Sequence, residues 1–524
     1  MIYWCNQCDI PYHSNEGLCS ICGTKGMLLK GNTLTPVFLQ EKKLLSYILN
    51  KDVTNKNIWY KGNAIYVFNG NLKRIPYVDI FRSKEYLKFC DKLKNDISYD
   101  DVICNRSRLL KANENHIKML IFEAENYIKD VMEMYEGHIP AVSFSGGKDS
   151  TVVSNIVREA LQKNDIVHLF ADTTLELPET YDYNEKIFRQ ENMYTPLLVS
   201  KPRGDFFSLC ECLGPPSRLE RWCCTILKTS NFNSFVRYLP NKKPMLTFMG
   251  IRRSESTSRR NYRRTRTDSK ISRQVVAMPM IDWTDFDVWL YLMSKSLRFN
   301  DAYKLGYRRI GCWCCPNNSN WSELLMAIYY PKLFERWRRV LYDFARKTKK
   351  TDPLDYVENN KWKARKGASG LEGRNIDIVD TDCLSDKNIK NIITNKPLDE
   401  KFIEFIKPFG TLEINKNKDN ITIGVVENNS KTFVLNFEKG SRILRVTMLA
   451  EMDKILLINR LKCQIRKHQF CIYCSACDSV CEQLAISTLN NEYKIDEGKC
   501  NHCKKCIGRF YNGCLTTQVL ADKK

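Results

Sequence analysis

The residues best suited to do chemistry fall into two sets, one glycine-rich loop and several tight groups of cysteine. Ser145-Gly-Gly-Lys-Asp-Ser150 lies between an apolar run at 139–144 and an amphipathic run at 151–161, which is the pattern of a strand, a tight turn and a helix start. Gly146 and Gly147 let backbone N–H groups close on an oxyanion, and the helix start adds about half a positive charge. Lys148 and the hydroxyls of Ser145 and Ser150 can then bind phosphate or sulfate oxygens. The spacing differs from the Walker A loop, in which four residues separate the first glycine from Gly-Lys-Ser/Thr.

The 23 cysteines are grouped rather than scattered, and in a reducing compartment grouped thiols serve as metal ligands in preference to disulfides. Cys5-x2-Cys8 and Cys19-x2-Cys22 put two knuckles in a segment too short for a core of its own, which suits a zinc ribbon. A rubredoxin-like iron asks for the same four ligands. Near the C-terminus stand Cys471-x2-Cys474-x2-Cys477-x3-Cys481 and Cys500-x2-Cys503-x2-Cys506-x7-Cys514, with the spacing of iron-sulfur ligation. Between these ends lie Cys223-Cys224 and Cys312-Trp-Cys-Cys315. The remaining thiols, such as Cys90 and Cys463, fit no ligand spacing and read as packing residues.

Several elements must hold these groups in place. Apolar residues at 117, 120, 121, 124, 128, 131 and 132 predict a helix over 114–135 that packs on the loop-bearing domain. A strand at 166–170 ends at Asp172, and ligands of open α/β sheets bind beyond such carboxyl ends. Short strand-like runs with Asn-Gly turns fill 30–110, basic aromatic helices 321–346, and short strands 422–448.

Bulk composition is that of a globular chain, 43% hydrophobic and 27% charged, with no membrane-length apolar run and no secretory pattern at its start, so a cytoplasmic location is expected. The formal charge of +22 falls to about +16 once one zinc and two clusters convert their cysteines to thiolates, still basic enough to attract phosphates or nucleic acid.

Ser-Gly-Gly-Lys-Asp-Ser resembles the PP-loop of the ATP-pyrophosphatase and phosphosulfate-reductase superfamily. The resemblance to phosphoadenosine phosphosulfate and adenylyl-sulfate reductases continues through Asp172-Thr, Pro178-Glu-Thr180, Arg221-Trp-Cys-Cys224 with Lys228, Gly250-Ile-Arg252-Arg253 with Glu255, and Asp282-Trp-Thr-Asp285-Phe-Asp287. It spans about residues 139 to 316. It implies an α/β fold with a parallel sheet, a PP-loop (adenine nucleotide alpha hydrolase-like) domain, flanked here by the ribbon and a ferredoxin-like iron-sulfur domain. By that resemblance Ser145, Gly146, Gly147, Ser150 and Asp172 bind an adenine nucleotide, either ATP or an adenylyl sulfate. Lys148, Asp149, Arg252, Arg253, Cys223 and Cys224 are the candidate catalytic residues, since arginine forks suit sulfate and phosphate. The Cys-Cys and Cys-x2-Cys pairs resemble an iron-sulfur signature that would make Cys312 and Cys315 ligands of a third cluster, with a second zinc or uncommitted thiols as alternatives.

The tail resembles a two-cluster bacterial ferredoxin with [4Fe–4S] clusters, whose rule assigns Cys514 to the cluster of Cys471, Cys474 and Cys477, and Cys481 to the other. Glu482 stands where a proline usually follows, and four extra residues precede Cys514. The implied plan is a ribbon at 1–29, a small binding domain at 30–110, the catalytic domain at 111–320, a helical extension at 321–395, a linking domain at 396–462 and the cluster domain at 463–524. The expected activity is reduction of an adenylyl sulfate with electrons from a low-potential donor. The reductases' C-terminal Glu-Cys-Gly-Leu-His segment is absent. The alternative is ATP-dependent sulfur transfer to tRNA, DNA or a small molecule, for which the arginine-rich run Arg259 to Arg266 offers a nucleic-acid contact; a membrane partner is not expected, and a homo-oligomer is left open.

Overall fold

The structure, a computed structural model, describes residues 1–237, 243–267, 271, 273–366, 376–451 and 453–521. The chain divides into two units: Met1–Ser200 with Leu239–Ser269 and Arg273–Arg339, and Lys201–Tyr238 with Lys270–Ser272 and Val340–Lys524.

The first unit opens with a three-stranded ribbon, β1 (Ile2–Cys5), β2 (Ile10–His13) and β3 (Met27–Leu28), in the order β2-β1-β3. A four-stranded antiparallel sheet follows, β4 (Thr35–Pro36), β5 (Ile58–Gly62), β6 (Ile65–Phe68) and β7 (Asn71–Arg74), with α1 (Leu39–Leu49) inserted after β4. Helix α2 (Glu114–Met134) buries Ile117, Ala124, Ile128 and Val131, the stripe that its 3.6-residue period dictates.

The central sheet holds β8 (Ile139–Ser143), β9 (Val167–Ala171), β10 (Leu197–Ser200), β11 (Met245–Phe248), β12 (Thr265–Arg266) and β13 (Gln274–Ala277), in the order β10-β9-β8-β11-β13-β12. All neighbours are parallel except β12 against β13. The interior strands β11 and β13 are buried along their whole length, as expected of parallel strands covered on both faces. Helix α3 (Lys148–Leu161) follows β8, and α4 (Asp285–Ser294) follows β13; with α2 they share one apolar core with the ribbon and the sheet. Strand order reverses between β8 and β11, and at such a switch point the loops at the carboxyl ends part to leave a crevice.

Two buried polar contacts fasten the N-terminal segments to this domain. Asp287 caps α4 by accepting from the Thr284 backbone N–H at 2.7 Å, while its other oxygen faces His116 at 2.8 Å and His13 at 2.9 Å. Glu41 on α1, fully buried, pairs bidentately with Arg308 and accepts from the Tyr66 hydroxyl at 3.0 Å.

The second unit contains an antiparallel sheet of β14 (Val379–Asp382), β15 (Ile389–Ile393), β16 (Thr411–Lys416), β17 (Asn420–Glu427), β18 (Ser430–Glu438) and β19 (Ile443–Met448), ordered β14-β15-β19-β18-β17-β16. Helix α5 (Lys454–Phe470) then runs directly into Cys471, which ends it in extended backbone, and the short hairpin β20 (Ile486–Ser487) and β21 (Lys494–Ile495) lies between the two cysteine loops. No helix among the described residues is long and apolar enough to cross a membrane.

Removing one partner of a buried ion pair leaves the other charge uncompensated, at a cost of about 3–5 kcal/mol. Glu41→Ala is therefore expected to lower unfolding stability by that amount in chemical denaturation, and Lys43→Ala, which removes an exposed pair with Asp96, by less than about 1 kcal/mol.

Candidate active site and cysteine clusters

The 145–150 loop sits at the carboxyl end of β8, on the switch-point side. Helix α3 begins at Lys148, three residues before the apolar period becomes visible, so the lysine is already part of the helix start. Gly146 has φ +71°, and a Cβ there would come within 2.5 Å of the Asn184 side chain. The turn is closed by the Ser150 hydroxyl, which accepts from the Ser145 N–H at 3.2 Å and donates to the Gly147 carbonyl at 2.8 Å. Tyr303 completes it by accepting the Lys148 N–H at 3.0 Å.

Four charges meet above this turn. Lys148 Nζ lies 2.7 Å from Asp149 and 3.2 Å from Asp285, and Arg252 reaches the same two carboxylates at 2.7 and 2.8 Å. Arg252 comes from the loop after β11, which approaches so closely that a Cβ on Gly250 would fall 2.8 Å from the Asp149 backbone. For Lys148, burial pushes the pKa down while Asp149 and Asp285 push it up, with a net rise. For Asp149, burial raises the carboxyl and Lys148 and Arg252 lower it, with a net fall. Lys148, Asp149 and Arg252 are thus held charged.

Asp172 is buried at the end of β9, where its Oδ1 accepts from the Thr174 N–H at 2.7 Å and the Tyr181 hydroxyl at 2.9 Å. Arg253 turns away from the loop to Asp282 and the Tyr262 carbonyl. The arginine-rich run is largely spent internally: Arg259 pairs with Glu255, Arg264 with Glu123 and the Tyr127 ring, and Arg266 stacks on Tyr262. Cys312 lies 3.3 Å from the Thr173 hydroxyl beside the β9 end. Cys223 and Cys224 belong to the second unit, at the start of the π-helical turn Cys224–Thr229.

Sequence reasoning gave no role to Asn184, Asp285, Asn300 or Tyr303. Asn184, 1% exposed, has neither its amide nitrogen nor its oxygen paired among the described residues, and it is the second residue of a π-helical turn, Tyr183–Phe188, a geometry frequent at functional sites. Asn300 holds the Gly146 carbonyl at 3.2 Å.

In the ribbon, Cys5, Cys8, Cys19 and Cys22 present sulfurs that all lie within 4.8 Å of one another, with Cys5–Cys22 at 3.4 Å and Cys8–Cys19 at 4.0 Å. Sulfurs around a tetrahedral ion with ~2.3 Å bonds stand about 3.8 Å apart, so this donor set fits one such ion.

The C-terminal thiols fall into two groups by mutual electrostatic influence. Cys471, Cys474 and Cys477 all lie under the influence of Cys514, and Cys477 is also influenced by Cys506. Cys481, Cys500, Cys503 and Cys506 form the other group and line one cavity. The two loops share a backbone pattern: Tyr473 and Ser475 in the first, His502 and Lys504 in the second, have φ of 52°, 59°, 53° and 59°. None is glycine, so each costs roughly 1–2 kcal/mol, and alternating left- and right-handed residues turn N–H groups toward an anionic centre. Burial pushes Cys477 up to about 12 and Cys506 to about 11, so these thiols become thiolates only when a metal takes the proton's place. Glu482, at the position where ferredoxins carry proline, pairs with Lys505 of the other loop at 2.6 Å.

A parallel α/β sheet with this loop at its switch point defines a PP-loop domain. Residues 139–318 match the phosphoadenosine phosphosulfate reductase domain. An uncharacterized protein of Methanocaldococcus jannaschii is 30% identical over 282 residues, covering 54% of this chain and 57% of the relative. The adenosine 5′-phosphosulfate reductase of Staphylococcus epidermidis is 25% identical over 197 residues, 37% of this chain and 76% of that one. The chain thus spans less than two thirds of the Methanocaldococcus relative. A phosphoadenylyl-sulfate reductase structure from Candida auris aligns at 15% identity, covering 39% of this chain and 97% of that one, with a TM-score of 0.29.

His168 on β9 is fully buried, with its ring nitrogens 2.8 Å from the Ile166 carbonyl and the Ser154 hydroxyl of α3. Burial pushes its pKa down to about 4, against about 6.5 in the unfolded chain. Below pH 6.5 the unfolded state binds more protons, so stability falls as pH drops toward 4, by about 2–3 kcal/mol in all. Denaturation midpoints across this range should fall for the wild type and flatten for His168→Gln.

Proposed function

We propose that this chain is an iron-sulfur oxidoreductase that binds an adenylyl sulfate, with or without a 3′-phosphate, at the 145–150 loop and reduces it to sulfite and the adenosine phosphate. The observation that carries this reading is the union, in one chain, of a phosphosulfate reductase domain at 139–318 with two cysteine tetrads of ferredoxin spacing. The naming of the staphylococcal relative supports the substrate class.

In this reading the loop N–H groups and the Ser145 and Ser150 hydroxyls hold the phosphate, and Asp172 and the unpaired Asn184 amide contact the adenosine. Sulfur passes from the +6 to the +4 state. The bridging oxygen keeps the bonding pair and leaves with the phosphate, and two electrons from a low-potential donor convert the SO3 fragment to sulfite. Lys148 and Arg252 offset the negative charge that develops on the leaving phosphate. Asp149 and Asp285 hold those two cations in register.

The donor sets fit the groups implied. Each C-terminal tetrad offers four sulfurs, and the buried Tyr493 hydroxyl, without a partner among the described residues, lies under the influence of Cys477, Cys506 and Cys471, an O–H donor that a sulfur acceptor would satisfy. Two [4Fe–4S] clusters held there would carry single electrons, and a zinc held by Cys5, Cys8, Cys19 and Cys22 would be structural. Cys8→Ser is expected to lose the one zinc per chain by elemental analysis and to make residues 1–29 protease-sensitive, with iron content unchanged.

The deciding experiment incubates anaerobically purified protein with adenylyl sulfate, its 3′-phosphate or ATP under a low-potential reductant. Sulfite with the adenosine phosphate supports the reading, and Lys148→Ala and Arg252→Ala should each lower kcat/KM by about 100-fold or more. Pyrophosphate release from ATP that rises with tRNA or DNA, without sulfite, would overturn it in favour of sulfur transfer.

A further inference from the structure

Lys467 stands one helical turn before Cys471 on α5 and is fully buried. Its ammonium donates to the Cys506 carbonyl at 2.8 Å and lies 5.8 Å from the centre of the Tyr493 ring. Among the described residues no carboxylate lies within ion-pair distance of it. An ammonium removed from water without a counter-charge is among the most costly things a fold can bury. The groups acting on it are Cys477, Cys514 and Cys471 of one tetrad and Cys506 of the other. The lysine therefore stands beside both tetrads, one turn before Cys471 of the first and hydrogen-bonded to the backbone of Cys506 of the second.

We propose that Lys467 is the counter-charge of the clusters and sets the reduction potential of the one held by Cys471, Cys474, Cys477 and Cys514. A four-thiolate [4Fe–4S] centre gains one negative charge on reduction. A fixed positive charge in a dry environment favours the reduced form over the oxidised one. Lys467 transfers no electron itself; it acts as a positioning charge. This role rests on the two-cluster reading above.

The test uses the full chain, anaerobically loaded with iron and sulfide, in redox titrations followed by electron paramagnetic resonance. Lys467→Met, similar in length but neutral, should lower the ratio of reduced to oxidised cluster about tenfold at the wild-type midpoint, a shift of ~59 mV for a one-electron couple. Lys467→Arg should stay within about twofold of wild type. Unmoved midpoints in a fully loaded Lys467→Met protein would overturn the proposal, as would an equal shift in Lys467→Arg, because packing and not charge would then be responsible. Should Lys467→Met hold fewer irons, retention of full iron by Lys467→Arg supports the charge role, and equal loss in both variants overturns it. A wild-type protein without any cubane signal would sink the two-cluster reading itself.

Discussion

The balance of charge at the carboxyl edge of the central sheet is the constraint on which the first unit depends. Lys148 and Arg252 face Asp149 and Asp285 in a quartet that is mostly buried. Its members come from the start of α3, which follows β8, the loop after β11 and the start of α4, so the quartet exists only when β8 and β11 are neighbours. Two carboxylates in contact with both cations also keep Lys148 and Arg252 beside the 145–150 loop without the repulsion that would otherwise spread them apart. Under the proposed reading, binding of an anion would exchange carboxylate contacts for phosphate contacts instead of assembling the site anew, which is the meaning of preorganisation in electrostatic terms.

The same logic separates structural from incidental ion pairs elsewhere. Glu41 with Arg308 and Asp287 with its two histidines are buried and link segments far apart in sequence, so they fix how the N-terminal strands and helices meet the sheet. Surface pairs such as Lys118 with Glu114 lie within one helix face and fix nothing beyond it.

What could be read from sequence was whatever chemistry demands at short range. The Ser145–Ser150 loop, the paired knuckles of the ribbon and the two ferredoxin-like repeats each need given residue types at given spacings, and such demands survive as strings. The helix over 114–134 was legible for a similar reason, its apolar period being regular. Residues whose part is created by approach across long stretches of chain left no such trace: Tyr303 meets Lys148 from 155 positions away, and Asn184 matters because Gly146 comes against it. Lys467 reads as one more basic residue on a basic helix until the second cysteine loop is folded beneath it. The strands β14 and β15 escaped notice because VDTD is a polar edge paired to β15, and IKNII breaks its apolar run with Lys390 and Asn391; the pairing of β15 with β19 supplies what local hydrophobicity does not.

The crossed arrangement of the C-terminal cysteines has a consequence in time. Cys514 groups with Cys471, Cys474 and Cys477, yet it follows Cys477 by 37 positions, with the whole second loop between them. A ribosome working at about 5–20 residues per second needs roughly 2–7 s to cover that interval. Neither tetrad can close while the first loop is emerging, since each borrows one sulfur from the other's stretch of chain. Under the proposed reading, metal insertion into this segment waits until the second loop has been made, and the centre that needs Cys514 is completed last.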